Sequence, residues 1–121
     1  PPMFPEEMHT DRSKEFLAAE VIREKLTEML HQEIPYGLTV QIESYEVDDE
    51  RITIHAVILV DRDSQKGIVV GKGGHVLKTV GQSARLELCE LLDSRVHLEL
   101  WVKVKDNWSD SEQDLLRLGY E

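Results

Sequence analysis

Apolar side chains recur at helical spacing near the start of the chain. The segment "RSKEFLAAEVIREKLTEMLHQ", residues 12–32, has charged side chains around an apolar face made by Leu17, Val21, Ile22, Leu26, Met29 and Leu30. Positions three and four apart lie on one side of an α-helix, so this spacing predicts a helix that buries a single face. Pro35 and Gly37 in "EIPYG" predict its end.

The next two segments alternate apolar and polar residues, as strands do. They are "TVQIESYEV", residues 39–47, and "RITIHAVILVD", residues 51–61. On one face the second carries Ile52, Ile54, Ala56, Ile58 and Val60. Side chains of a strand point to alternate faces, so both segments are predicted strands. The short acidic "DDE" between them predicts an antiparallel hairpin.

A helical period returns at Gly67. A short "GIVV" segment and three glycines precede a predicted buried stripe of Leu77, Val80, Ala84, Leu88 and Leu91. Two helices interrupted by "GKGG" fit this pattern better than one. "SRVHLELWVKVKD" then alternates again, with Val96, Leu98, Leu100, Val102 and Val104 predicted to face inward. Because a strand, two helices and a strand form a crossover, this third strand should run parallel to the second.

The tail "WSDSEQDLLRLGYE" predicts a short terminal helix. Ser109 and Glu112 form a capping box, three leucines follow, and Gly119 is the stop. The element order is therefore α-β-β-α-α-β plus a short C-terminal helix. It predicts an α+β fold with a three-stranded mixed sheet covered by helices on one face.

Length and composition limit the classes of protein to which the chain can belong. The 121 residues are enough for one domain with one core. Cys89 is the single cysteine, which excludes an internal disulfide and fits a reducing compartment. The longest apolar run, residues 56–60, is too short to cross a bilayer, so a soluble intracellular protein is predicted. The proline-rich opening over residues 1–11 predicts a linker in a longer protein, with the folded domain over residues 12–121.

The charges are unevenly distributed. With 14 basic and 24 acidic residues, the chain has a net charge of -10, which by itself argues against a nucleic-acid ligand. Residues 64–86, however, contain no Asp or Glu and carry Lys66, Lys72, Lys78 and Arg85. Such a basic segment on an acidic body can hold a polyanion locally while the rest of the surface repels it. Chance clustering is the alternative.

The glycine-rich stretch "GIVVGKGGHVLK" fits poorly with two familiar nucleotide-binding loops. A nucleotide hydrolase loop reads G-x-x-x-x-G-K-[S/T]. Here three residues separate Gly67 from Gly71, and Gly73 stands where a hydroxyl should hold magnesium. The spacing also fails for a dinucleotide-binding fingerprint.

The same stretch has the features of a clamp for a nucleic-acid backbone. At Gly71 and Gly74 no Cβ atom would keep a sugar-phosphate chain away from the main chain at the start of a helix. Lys72 adds a cation and Gly73 loosens the turn. A polar stripe follows at helical spacing: His75, Lys78, Gln82 and Arg85. An ordinary solvated helix face is the alternative explanation of the stripe.

Apolar side chains beside the loop are candidates for the floor of a base-binding groove. These are Ile68, Val69 and Val76, since unstacked bases rest on apolar and aromatic surfaces. The alternative is that all three belong to the core. Trp101 and Trp108 can stack on bases or pack beneath the terminal helix.

Catalytic and metal sites are not predicted. The five histidines lack the spacing of metal ligands, and the basic segment holds no nucleophile beside a base. We therefore expect no cofactor and no enzymatic activity in this chain. The first hypothesis is a single-stranded RNA-binding module, and the second is a protein-docking module that uses its acidic surface.

The glycine loop carries a family resemblance. "GIVVGKGGHVLK" resembles the signature of the KH domain, in which a G-x-x-G loop joins two helices and clamps about four nucleotides of a single strand. Matching the motif places the loop at Gly71, Lys72, Gly73 and Gly74. The element order is similar to the type II, prokaryotic KH arrangement.

Longer segments are similar to the C-terminal KH domain of the bacterial Era GTPases. They are "FLAAEVIREKL", "SQKGIVVGKGGHVLKTVGQSAR", "LELWVKVKDNW" and "LLRLGYE". The chain differs from most of that family in "LLDSR", where a glycine is usual, and in Val70, where isoleucine is more usual.

This resemblance implies a function and a set of partners. It implies binding to the 3′ end of small-subunit ribosomal RNA in small-subunit maturation. In the first hypothesis, drawn from the residues themselves, the backbone is held at residues 71–74 and phosphates are met by Lys72, Lys78, Lys66 and Arg85. The resemblance also implies a GTPase domain ahead of Pro1, a fragment without a GTP site, and a cytoplasmic location with some peripheral association with the inner membrane. We expect the fragment to be monomeric.

Overall fold

A computed structural model describes the backbone of residues 3–105 and the side chains of residues 12–105. Trp108 and the predicted terminal helix from Ser109 lie outside the described residues. The elements follow in the order α1 (Met3–Leu30), β1 (Thr39–Asp48), β2 (Arg51–Val60), α2 (Asp63–Val70), α3 (His75–Leu92) and β3 (Arg95–Val104), with short 3-10 turns at His31–Glu33 and Lys72–Gly74. This order confirms the α+β prediction over the described residues.

The first helix is longer than the apolar pattern suggests. It begins at Met3, inside the segment 1–11. The division of the chain into a linker over residues 1–11 and a domain over residues 12–121 stays a prediction.

The sheet is three-stranded and mixed, with the order β1-β2-β3. β1 pairs antiparallel with β2, and β2 pairs parallel with β3. Both directions were expected, because a short turn joins β1 to β2 and a helical crossover joins β2 to β3. β3 is consequently an edge strand, so one of its sides has no strand neighbour within the described residues.

A β-bulge changes the alternation in β1. Ile42 pairs with Ala56 and Ser44 with His55, which leaves Glu43 as the extra residue. The bulge places Tyr45 opposite Ile54, and Tyr45 packs against the core. Because the side-chain period of a strand is two, one extra residue moves all later side chains to the other face.

The core fills one face of the sheet, under α1 and α3. All five predicted inward residues of β2 are buried, with at most 4% of their surface exposed. α1 contributes Ala18, Val21, Ile22, Leu26 and Leu30, and α3 contributes Val80, Ala84 and Leu88. The predicted stripe of α3 is confirmed at its centre, but Leu91 is 52% exposed. The neighbouring residues Cys89 and Leu92 pack against the core instead.

An ion pair links the two long helices outside this apolar contact. Lys25 Nζ of α1 lies 2.6 Å from Glu87 Oε1 of α3, and only 14% of the lysine side chain is exposed. The hydrogen bond to Glu87 raises the pKa of Lys25 above its ordinary value. The pair therefore helps to fix the position of α3, the helix that carries the glycine loop at its start.

Candidate nucleic-acid interface

The glycine loop is a tight connection between α2 and α3. Gly71 ends α2 with φ 80° and ψ 170°, and its N–H donates to Gly67 O at 2.8 Å. Gly73 and Gly74 also have positive φ, 63° and 78°. The conformation of Gly71 is one that essentially only glycine adopts. The loop therefore depends on glycine for its path as well as for access to its backbone.

The outer side of the loop is open. A Cβ atom added at Gly73 or Gly74 would meet no heavy atom within 4 Å. Gly74 is the N-cap of α3, no side chain caps it, and the first turn of α3 contains no acidic residue. The N–H groups at a helix start carry partial positive charge and attract anions when no side chain satisfies them. Phosphate groups can therefore approach this main chain directly.

A groove of about 370 Å³ leads away from the loop between α3 and the edge strand β3. It is lined by Gly74, Leu77, Lys78, Gly81, Gln82, Arg85, Leu98 and Leu100. Leucines form its apolar surface, while Lys78, Gln82 and Arg85 supply polar groups from α3. Gly81 keeps the groove wide at this point. A Cβ atom added there would lie 3.4 Å from Leu100 Cδ1, so a larger side chain would fill the space between α3 and β3.

The structure brings together only part of the predicted site. Lys78 and Arg85 line the groove, and Lys72 is exposed in the loop at its end. Lys66 is exposed on α2 and is not among the groove residues. All four cations lack an ion pair and a side-chain hydrogen bond within residues 12–105. Their charge is thus not neutralised by the part of the protein that the structure describes.

The three apolar residues predicted for the floor differ in burial. Val69 is fully buried in the core, so the core alternative applies to it. Val76 is half-buried and packs against the core, whereas Ile68 is 38% exposed. None of the three lines the groove. Val69 of α2 points into the protein, and the apolar lining of this groove comes from α3 and β3.

The residues that the sequence reasoning missed are Leu77, Gly81, Leu98 and Leu100. The leucines match inward positions in the apolar pattern, and such positions predict core residues. Since β3 is an edge strand, Leu98 and Leu100 remain partly exposed. Gly81 carried a sequence signal, because a glycine inside a helix often marks a close approach or a need for space.

The sheet face away from the helices carries a histidine pair and Trp101. His97 Nε2 lies 3.0 Å from Glu99 Oε2, and His55 Nε2 lies 3.9 Å from Glu99 Oε1. The hydrogen bond with His97 holds the pKa of Glu99 below its ordinary value. In residues 12–105, no group of three or more His, Cys, Asp or Glu is arranged to hold a metal ion. Trp101 is 55% exposed, opposite Val57.

Comparison with known proteins decides the family. A KH domain model matches residues 33–109, a range that includes the hairpin, the glycine loop and β3. This chain belongs to the KH domain family. KH domains bind nucleic acids, and their G-x-x-G loop contacts the backbone of a single strand.

The relatives of this KH domain include proteins named GTPase Era. The chain is 49% identical over 118 residues to GTPase Era of Haemophilus influenzae (strain PittGG), covering 97% of this chain and 39% of the relative. It is 52% identical over 118 residues to GTPase Era of Coxiella burnetii (strain RSA 331 / Henzerling II), covering 98% and 40%. These relatives confirm the resemblance to the Era family. The chain spans about two fifths of their length.

Solved structures of Era have the same fold as this KH domain. A point variant of Aquifex aeolicus Era bound to GDP.AlF4- is 38% identical, with a TM-score of 0.71 over 88% of this chain and 36% of the other. A structure of Era in complex with MgGDPNP and nucleotides 1506-1542 of 16S ribosomal RNA is also 38% identical, with a TM-score of 0.70 and the same coverage. In the described part of this chain, no helix is both long and apolar enough to cross a membrane.

Proposed function

We propose that this KH domain binds single-stranded RNA by holding the backbone at residues 71–74. The observation that carries the proposal is the open glycine loop at the uncapped start of α3, which leads directly into the groove. Phosphates approach the backbone of the loop and the side chain of Lys72. Lys78 and Arg85 meet the phosphates that follow, and Lys66 adds positive charge from α2.

Bases rest on the apolar surface between α3 and β3. Leu77, Leu98 and Leu100 provide this surface, and Gly81 leaves the space for a base above it. Apolar contact supports the flat face of any base, so it supplies affinity with little sequence demand. Ile68 remains a candidate contact at the rim, since it is exposed beside the loop.

The 3′ end of small-subunit ribosomal RNA is the proposed target, in maturation of the small ribosomal subunit. Its support is the likeness to an Era structure that contains nucleotides 1506-1542 of 16S ribosomal RNA. In the longer protein that the relatives suggest, a GTPase domain is a further partner in the same chain. Such a protein is proposed to be cytoplasmic and in part peripheral at the inner membrane, while the KH domain itself performs no catalysis.

The test replaces Lys72 and Gly73 by Asp. Gly73 has φ 63° and ψ 20°, a region that Asp tolerates better than most residues. The matched control is Arg12→Asp with Ser13→Asp, which makes the same change in net charge at two exposed positions of α1. Affinity for a fluorescent RNA with the ribosomal 3′-end sequence is measured by anisotropy, and folding by circular dichroism.

The loop variant should bind at least about tenfold more weakly, a change of roughly 1.4 kcal/mol. The control should change affinity much less, because Arg12 and Ser13 are in α1 and line neither the loop nor the groove. Wild-type binding should weaken with salt, with a log-log slope of about -0.7 for each neutralised phosphate. If the folded loop variant binds as tightly as the wild type, the clamp proposal is wrong.

The acidic surface supports a second candidate, a protein-docking module. Outside residues 64–86 the chain carries 10 basic and 24 acidic residues. Amide chemical shifts during titration with short oligonucleotides separate the two functions. An RNA-binding module should show shifts concentrated in residues 66–85 and along β3, while a docking module should show none there.

A further inference from the structure

A second pocket, of about 450 Å³, lies where the groove ends near the start of β3. It is lined by Arg51, Arg85, Cys89, Arg95, Val96 and His97. Arg51 and Arg95 are register partners at the starts of the parallel strands β2 and β3. Arg85 and Cys89 reach the pocket from one side of α3. The pocket therefore joins side chains from three elements that are distant along the chain.

The pocket concentrates positive charge. Three of its six lining residues are arginines and none is acidic. Arg51 and Arg95 place two like charges at neighbouring positions of adjacent strands, where they repel each other. Arginine presents a planar set of donors that matches the oxygens of a phosphate. An anion in this pocket would offset the repulsion.

The nearby acidic groups do not neutralise these arginines in the described structure. Asp48, Asp49 and Glu50 come just before Arg51 in the hairpin, but they do not line the pocket. Glu99 is engaged by His97 at 3.0 Å. Within residues 12–105, the side chains of Arg51, Arg85 and Arg95 make no ion pair or hydrogen bond. Their donors are available to a ligand.

The pocket continues the proposed RNA groove. Arg85 lines both cavities. It lies eleven residues after Gly74, which is about 16 Å along the axis of an α-helix. A KH loop contacts about four nucleotides. A strand that follows α3 beyond those nucleotides therefore passes Arg85 and reaches Arg51 and Arg95.

We infer that Arg51 and Arg95 form, together with Arg85, a phosphate-binding pocket that extends the nucleic-acid track beyond the nucleotides held by the loop. This inference rests on the proposed RNA-binding function. The ligand is the phosphodiester backbone of the same single strand. An RNA long enough to reach this pocket should therefore bind the protein more tightly than an RNA that contacts only the loop.

The experiment compares oligonucleotide lengths on the whole chain. Single-stranded RNAs of about four and about ten nucleotides are titrated into the wild type and into Arg51→Gln with Arg95→Gln. The matched control, Arg12→Gln with Lys103→Gln, removes the same charge from exposed positions outside the pocket. Thermal unfolding checks that both variants are folded. The ten-nucleotide RNA is used with and without a terminal phosphate.

The pocket variant should bind the longer RNA about tenfold more weakly and bind the shorter one like the wild type. The log-log slope of its affinity for the longer RNA against salt should become less negative, by about 0.7 for each lost phosphate contact. Equal wild-type affinity for both lengths, or an unchanged affinity of the pocket variant for the longer RNA, overturns the inference while the loop proposal stands. Dependence on the terminal phosphate would overturn the assignment to backbone phosphates. Failure of both RNAs to bind the wild type would instead reject the proposed function.

Discussion

The α-carbon of Gly71 faces the side chain of Val76, and a Cβ atom added to Gly71 would lie 2.5 Å from Val76 Cγ2. The same atom would lie 2.8 Å from the backbone nitrogen of Val76. Gly71 also has φ 80° and ψ 170°. Two independent constraints, backbone conformation and close packing against the first turn of α3, therefore require glycine here.

Replacement of Gly71 by Ala should destabilise the fold and distort the loop. We expect a loss of about 1–3 kcal/mol in the free energy of unfolding, the usual cost of a residue in this backbone region. Urea denaturation measures it. Gly67→Ala is the control, because Gly67 lies inside α2 and an added Cβ would meet nothing within 4 Å. That control should stabilise the protein by about 0.5–1 kcal/mol. Equal effects of the two changes would contradict the close contact with Val76.

Filling the groove at Gly81 should block RNA without unfolding the protein. Gly81 lies within α3, where a side chain improves helix propensity. Gly81→Leu should bind single-stranded RNA at least about tenfold more weakly, since its side chain enters the space beside Leu100. Gly81→Ala is the graded control, because its methyl group reaches ordinary contact distance from Leu100 Cδ1, 3.4 Å. Unchanged binding by a folded Gly81→Leu variant would place the bases elsewhere.

The ion pair between Lys25 and Glu87 predicts a pH-dependent contribution to stability. The hydrogen bond that Lys25 donates to Glu87 raises the pKa of Lys25 above its ordinary value of 10.5. A group whose pKa is raised by folding contributes stability that is fully present below the unfolded pKa and is lost as the pH rises through the folded pKa. Glu87→Gln should therefore cost about 0.5–1 kcal/mol near neutral pH. The difference between variant and wild type should shrink above pH 10.5.

Urea denaturation of both proteins at neutral and at strongly alkaline pH measures this difference. Using a difference removes the contributions of other groups that titrate in the same range. Lys25→Met with Glu87→Gln serves as the control, because it removes both partners and should show no such pH dependence relative to Lys25→Met alone. A cost of Glu87→Gln that stays constant through the alkaline range would exclude the pair as its origin.

Asp93 predicts a stabilising substitution. It ends α3 in the left-handed region, with φ 51° and ψ 47°. Glycine is the usual residue at this place in a helix end, because a Cβ atom makes the conformation costly. Asp93→Gly should therefore raise the free energy of unfolding by about 0.5–1 kcal/mol. Asp93→Ala should lower it, since alanine lacks the polar side chain with which Asp tolerates this region. Thermal unfolding compares the three proteins.

The local pattern predicted the described elements and their order. The i, i+3, i+4 spacing of α1 and the alternation of β2 depend only on which side chains must avoid water. The antiparallel and parallel pairings followed from the lengths of the connections. Asp93 shows the same local logic, since it directly follows the last residue of α3 and the structure gives it a positive φ.

The residues that form the floor of the groove could not be predicted without the arrangement of the strands. An inward position in β3 predicts an apolar contact, but burial also depends on what lies beside the strand. Because β3 is at the edge of the sheet, Leu98 and Leu100 stay partly exposed next to Gly81. Val69, by contrast, is fully buried. The alternation of β1 did not predict the bulge at Glu43 either, because a single extra residue interrupts the alternation only briefly.

By itself the sequence determined the order of elements, the glycine loop and the basic segment, since each depends on neighbours along the chain. Tertiary structure decided which apolar residues remain accessible and which charges meet. Arg51 and Arg95 are 44 positions apart and become partners only through the parallel register of β2 and β3. No local pattern predicts that register, because it depends on how the crossover helices pack on the sheet.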